Sequence, residues 1–161
     1  MNARPTAFQK LLHRFLMMKS VSTFMGHVLH RADAFLLHLT NDRYTFTGFV
    51  GLPILRLTSV GAKTGKLRTI PLVGLMDGDK IALIASGFGH AHHPAWYFNL
   101  KAHPECVVHF NARTETYIAR ETEGDEREKY WQLAVSYYAG YEKYKARARR
   151  KIPVMVLERK N

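Results

Sequence analysis

From Gly51 onward the chain is divided into short apolar runs, LPILRLTS, LRTIPLVGLM, KIALIAS, ECVVHF, TETYIARE and IPVMVLER, most of them flanked by Gly, Pro, Asn or Asp. Runs of this length, rich in Ile, Val, Leu and Thr, read as β-strands. A parallel sheet would need a helix between successive strands, and the sequence does not supply them. Only two helical stretches intervene: HPAWYFNLKAHP, opened by Pro94 and stopped before Pro104, and a long one from about Asp125 to Arg149. The pattern predicts an α+β fold, mainly antiparallel, in which a barrel or sheet carries peripheral helices. Within it, MDGDK marks a hairpin, because Asp-Gly accepts the positive φ of a tight turn.

The length of 161 residues suits one compact body. Ahead of it, Phe8, Leu11, Leu12, Phe15 and Leu16 recur at helical spacing, with Lys10 and Arg14 on other faces, and a second helical stretch runs from about Val21 to Leu39. Residues 1–44 are therefore expected to form an amphipathic helical extension and residues 45–161 the barrel domain. The first helix either packs on the domain body or lies on an anionic membrane surface. No apolar run reaches the roughly 18 residues of a membrane span, and the N-terminus lacks the pattern of a secretory signal. With Cys106 as the lone thiol, the chain is expected to be cytoplasmic, with a peripheral place at the inner membrane face as the alternative. Twenty-four Lys and Arg against thirteen Asp and Glu give a net charge of +11, a field that attracts nucleic acid, anionic lipid or a polyanionic ligand.

The segment SVGAKTGKLRTIPL, residues 59–72, is the first candidate for anion binding. It is not a P-loop, because three residues separate Gly61 from Gly65 and Leu67 stands where that motif needs Ser or Thr. It reads instead as two strands around a tight turn, with Lys63, Thr64, Lys66 and Arg68 as donors for phosphate or carboxylate; a plain solvated hairpin is the alternative. His90, His92 and His93 lack a local acidic or thiol partner, so no metal site is expected. Tyr137, Tyr138, Tyr141 and Tyr144 can share a helix face, either as core or as the wall of a pocket. Trp96 and Asn99 lie three residues apart on the short helix, a flat apolar face beside an amide suited to a planar heterocycle.

Four of these segments occur together and in order: LTSVGAKTGKLRTIPL, DGDKIALIASGFG, HPAWYFNL and YEKY followed by IPVMVLE. Over roughly residues 45–160 the chain thereby resembles the deazaflavin-dependent nitroreductase family, split β-barrel oxidoreductases that use coenzyme F420, an 8-hydroxy-5-deazaflavin. The resemblance implies that Lys63 and Arg68 hold the phosphate and oligoglutamate tail, with Thr64, Gly65, Thr69 and Pro71 nearby. It implies that Ile84, Ala85, Ser86, Gly87, Trp96 and Asn99 neighbour the deazaflavin ring. It also implies that Tyr138, Tyr141 and Tyr144 meet the substrate and that Ser86 helps polarise it.

The expected reaction is hydride transfer to an electrophilic small molecule such as a quinone, nitroaromatic or activated enone. FMN in place of the deazaflavin is one alternative; a non-enzymatic nucleic-acid binder is another, with no nucleic acid expected on the main reading. Split barrels often pair, so a homodimer is expected by analogy. One departure stands out: relatives often carry Thr-Asp-Arg before the IPV strand, whereas this chain has Ala148, Arg149 and Arg150. That change puts the electrostatics near the substrate in question.

Overall fold

The computed structural model describes residues 52–160. The expected N-terminal helices, and with them the 1–44 and 45–161 division, fall outside the described residues. Seven strands form one antiparallel sheet: β1 (Ile54–Val60), β2 (Leu67–Val73), β3 (Leu75–Asp77), β4 (Lys80–Ile84), β5 (Glu105–Phe110), β6 (Arg113–Glu121) and β7 (Val154–Arg159). Their order across the sheet is β2-β1-β5-β6-β7-β4-β3. β2 and β3 thus lie at opposite edges although Gly74 alone separates them in the chain. A flat sheet cannot satisfy that connection, so the sheet curls until its edges meet, the split barrel expected from the sequence.

Gly74 is also why LRTIPLVGLM, expected as one strand, is two. A Cβ at this position would lie 2.2 Å from Leu55 Cδ2, and the Gly74 N–H donates to the Pro53 carbonyl, the last rung in register with β1 before the chain leaves for the other edge. Pro71, opposite Arg56 on an edge strand, removes a donor that the sheet does not need there. The MDGDK hairpin forms as read, with Asp77 paired to Lys80 and Gly78 at φ 61°.

Alternation along β4 and β7 builds two cores. Ile81, Leu83, Met155 and Leu157 face the barrel interior with Leu55, Leu57, Val108 and Trp96. Ala82, Ile84, Val154 and Val156 face outward beneath the C-terminal helices. Both strands are buried on both faces, which is why KIALIA and VMVL read as continuous apolar runs. Cys106 lies in the barrel core; burial and, secondarily, Glu105 push its thiol up to about 12, which makes it a packing residue.

Three helices attach to this sheet: α1 (Ala95–Ala102), α2 (Gly124–Tyr137) and α3 (Gly140–Ala148). Glu121 docks α1 by accepting from the Tyr97 hydroxyl at 2.9 Å and from Lys101 at 3.0 Å. Burial alone would raise the Glu121 carboxyl, but these two bonds hold it below its ordinary range. The single helix expected over 125–149 breaks at Tyr138, whose φ of −149° is extended. The cause is steric. The Tyr138 ring lies over Gly140, where a Cβ would be 2.1 Å from its Cε1, so only glycine admits this turn. Among the described residues no helix is long and apolar enough to cross a membrane.

Candidate functional site

The turn joining β1 and β2 satisfies most of its own backbone. Gly61 N–H donates to the Lys66 carbonyl at 2.9 Å, Thr64 and Gly65 N–H donate to the Gly61 carbonyl, and Lys66 N–H reaches Thr64 Oγ1 at 3.4 Å. Gly65 adopts φ 65°, with open space where a Cβ would stand. Most of these amides are turned inward, unlike those of a phosphate-cradling nest, so a grip on an anion falls mainly to side chains. Lys63, Lys66 and Arg68 are exposed and, among the described residues, have no acidic partner. Thr64 and Thr69 are also exposed, the Thr69 hydroxyl lying 2.8 Å from that of Thr58. Register places Arg68 opposite Ser59, on the inner face of the sheet.

Asn99 fixes this turn to α1. Its Oδ1 accepts from Ala62 N–H at 3.0 Å and its Nδ2 donates to Ser59 Oγ at 3.3 Å, both ends of a buried amide. The sequence pointed to this amide as a partner for a heterocycle; in the structure it holds the loop. Trp96 is likewise buried in the barrel core, beside Leu100 and Ala85, and offers no open stacking face.

On the other side of α1 lies the segment after β4. Ser86 is buried, and its hydroxyl has no hydrogen-bond partner among the described residues. Gly87, Phe88 and Gly89 follow with φ of 53°, 55° and 82°, three left-handed residues in a row. Phe88 packs edge-on against Tyr144, its ring centre 6.2 Å away. Tyr138, Tyr141 and Tyr144 form a triangle with ring centres 5.9 to 6.0 Å apart, all three buried against Trp131, Ile84 and Val154. Of the two readings open in the sequence, core packing describes their placement. Burial pushes all three phenols above their ordinary range, and the Tyr138 and Tyr144 hydroxyls hydrogen-bond to one another. They are neutral hydrogen-bonding groups, poor as acids near neutrality.

Within the Ala148-Arg149-Arg150 run, Arg150, which stands where relatives also carry arginine, is structural. Arg150 sends its guanidinium into the segment after β4, to the carbonyls of Ala85, Ser86, His90 and His92 and to Nδ1 of His93. In the sequence only its match to the arginine of the relatives' Thr-Asp-Arg run and its place beside the last strand separate it from Arg147 and Arg149. Arg149, in the position where relatives carry the acid, is exposed with φ 50° and closes α3.

His93 stacks near Tyr97, at 5.0 Å between ring centres, and accepts from Arg150 at 2.8 Å. Burial first and the Arg150 charge second lower its pKa below the ordinary 6.5, against a smaller opposing pull from Glu121. The folded chain thus binds fewer protons here than the unfolded chain. This contribution to stability is complete above pH 6.5 and is lost as the pH falls through the lower folded value. Melting temperatures between about pH 5 and pH 8 should fall on the acid side in the native protein, and His93→Gln should flatten that acid limb. An unchanged limb would remove His93 as its source.

The turn, Asn99, α1, His93, Arg150, Ser86 and Tyr144 therefore form one connected rim of the barrel. Ser59 was not singled out in the sequence, and His93 and Arg150 were noted there only as a loop histidine and as part of the run before the last strand. Lys63, Lys66 and Arg68 on this rim are exposed and, among the described residues, without acidic partners, a charge pattern that an anionic ligand would complement. Among the described residues no cluster of His, Cys, Asp or Glu is placed to hold a metal ion.

The sequence model of the F420H(2)-dependent quinone reductase family matches residues 30–159. An F420H(2)-dependent quinone reductase of Mycobacterium tuberculosis is 34% identical over 111 residues, which are 67% of this chain and 74% of that protein. Among solved structures, an F420-H2 dependent reductase, FDR-A, is 43% identical with a TM-score of 0.62, covering 66% of this chain and 94% of its own. A structure described as a domain-swapped dimer has the same identity and TM-score and is covered over 80% of its length.

Proposed function

The chain belongs to the F420H(2)-dependent quinone reductase family, and from that premise we propose how its residues serve hydride transfer from reduced coenzyme F420 to a quinone. The coenzyme, when bound, supplies the hydride at its deazaflavin ring, while the protein supplies grip, orientation and a hydrogen bond to the acceptor. The observation that carries the reading is the β1–β2 turn: a tight backbone presenting Lys63, Lys66 and Arg68 without acidic partners among the described residues. Lys63 and Arg68 hold the phosphate and the tail carboxylates, with Thr64, Gly65, Thr69 and Pro71 around them. Asn99 keeps that turn in place from α1. Ser86 and Gly87 border the ring, backed by Ile84, Ala85 and Trp96 in the two cores.

The Ser86 hydroxyl, free of partners among the described residues, donates to the quinone oxygen as negative charge develops there. Tyr144, beneath Phe88, is the tyrosine best placed to add a second neutral donor, with Tyr138 and Tyr141 setting its position. Water supplies the proton, since the phenols are too weak as acids. Ser86→Ala should lower kcat by about 100-fold and leave the coenzyme Kd unchanged. Equal losses in both would remove Ser86 from this role.

Nitroaromatics and activated enones are proposed as further acceptors, because a hydride donor needs an electrophile of suitable shape. The basic N-terminal stretch, residues 1–19, is proposed to bring a cytoplasmic protein to an anionic membrane where quinones dissolve. Deleting it should weaken sedimentation with anionic liposomes and leave coenzyme binding intact; unchanged sedimentation would sink the membrane role. A homodimer is proposed on the strength of the solved relative described as a domain-swapped dimer.

A further inference from the structure

We propose that Arg150 is a positioning residue of this reductase, one that sets the backbone path of residues 85–93 and thereby the place of Ser86 and Gly87 beside the coenzyme. The inference rests on the assignment of Ser86 and Gly87 to the ring and adds the group that puts them there.

Three observations carry it. The first is saturation of the guanidinium. Nε donates to His90 O at 3.1 Å, Nη1 to His93 Nδ1 at 2.8 Å and Lys151 O at 3.3 Å, and Nη2 to Ala85 O at 3.2 Å, Ser86 O at 3.3 Å and His92 O at 3.0 Å. Five N–H bonds meet five carbonyls and a ring nitrogen, so no donor is left over for a ligand. A cation spent in this way works through the geometry of its fork, and the general field of the basic C-terminal helix plays no part in it.

The second observation is the backbone it holds. Gly87, Phe88 and Gly89 are all left-handed, and Phe88 has no glycine freedom to be so. A conformation of this kind persists where its surroundings over-determine it. Here the determinants close in from two sides. A Cβ on Gly87 would lie 3.7 Å from Arg150 Nη2, and a Cβ on Gly89 would lie 3.1 Å from Arg147 Cβ and 3.3 Å from Tyr144 Cα.

The third is what the fork connects. Arg150 follows the left-handed Arg149 that ends α3. It joins the tyrosine-bearing helix to the end of β4 through Ala85 and to the entry of α1 through His93. The ring-side segment and the tyrosine triangle are thereby locked to one another, and a shift of either would move Ser86 relative to Tyr144. Lysine, with three donors at one point, cannot reach this spread of acceptors.

The test uses the full chain and three variants: Arg150→Lys, Arg150→Met and His93→Phe, which keeps a flat ring against Tyr97 but removes the Nδ1 acceptor. Amide hydrogen exchange is read across the chain, F420 affinity by fluorescence titration, and kcat and KM with a soluble quinone. Both Arg150 variants should lose protection over residues 85–93 while β1, β5 and β7 keep theirs. Their kcat should fall by about 100-fold, the scale of a 1 Å misplacement, with a smaller change in KM. His93→Phe should do the same to a lesser degree. Wild-type exchange and kcat in Arg150→Lys would overturn the proposal, since charge alone would suffice. A rise in exchange spread evenly over the barrel would overturn it too, leaving Arg150 as a general stabiliser. Selective loosening of 85–93 in a chain whose wild type binds no F420 would instead strike at the functional reading and leave the loop's dependence on Arg150 standing.

Discussion

Replacing Lys63 and Arg68 together by alanine is expected to weaken binding of the deazaflavin coenzyme by about 100-fold while leaving the melting temperature unchanged. Each charged hydrogen bond to a phosphate or carboxylate contributes about 1.5 kcal/mol at an exposed site, the lower end of the range because solvent and salt screen it. Two such losses come to about 3 kcal/mol, or two powers of ten in Kd. The fold should not register them, because neither side chain has an ionic partner among the described residues. Fluorescence titration at low and high salt checks both parts. The native Kd should rise with salt and that of the double variant should hardly respond. Unchanged affinity in the double variant would mean that the β1–β2 turn is a solvated hairpin and that the tail lies elsewhere.

Gly140→Ala should be the most damaging single methyl on the acceptor side. The added Cβ would fall 2.1 Å from Tyr138 Cε1 and 2.2 Å from its Cζ, so the ring must leave its seat. That ring is buried and packs edge-on against Tyr141, so its departure disturbs the whole triangle. Overpacking of this kind costs about 1–3 kcal/mol. The quinone KM should rise, whereas F420 affinity, set at the distant turn, should hold. The cause is checked by a double-mutant cycle: in a Tyr138→Ala background the alanine at 140 should cost much less. Equal cost in both backgrounds would place the damage in the backbone of α3 and not in the ring.

How much of this was legible in the sequence depends on whether each determinant is local. The strands were legible because β4 and β7 are apolar on both faces and their neighbours alternate, so the pattern along the chain already encodes burial. The break at Gly74 was not, because what forbids a side chain there is Leu55, a residue of another strand. The break after Tyr137 was hidden for a related reason. Gly140 and the VSYY run before it weaken the helix pattern without fixing where it ends, and the placement of the Tyr138 ring over Gly140 shows why the helix restarts.

The same division runs through the site. Glycines and cations within eight residues, Gly61 to Arg68, are a local signal, and the tight turn with its exposed cations was legible from it. Asn99 was singled out as an amide beside Trp96, but its contacts within the fold, with Ala62 and Ser59 about forty positions away, were not legible. The role of Arg150 was not legible, since burial and five carbonyl acceptors are properties of the fold and not of the stretch KYKARARRK.

Hydride transfer from reduced F420 to a quinone is checked by the oxidation of reduced F420 by the purified full chain with a soluble naphthoquinone, followed by loss of the reduced coenzyme and set beside a parallel reaction with reduced FMN. Turnover should require both protein and quinone, saturate in each, and not be supported by FMN. Tight binding of F420 with no quinone-dependent oxidation, or equal rates with reduced FMN, would contradict this activity.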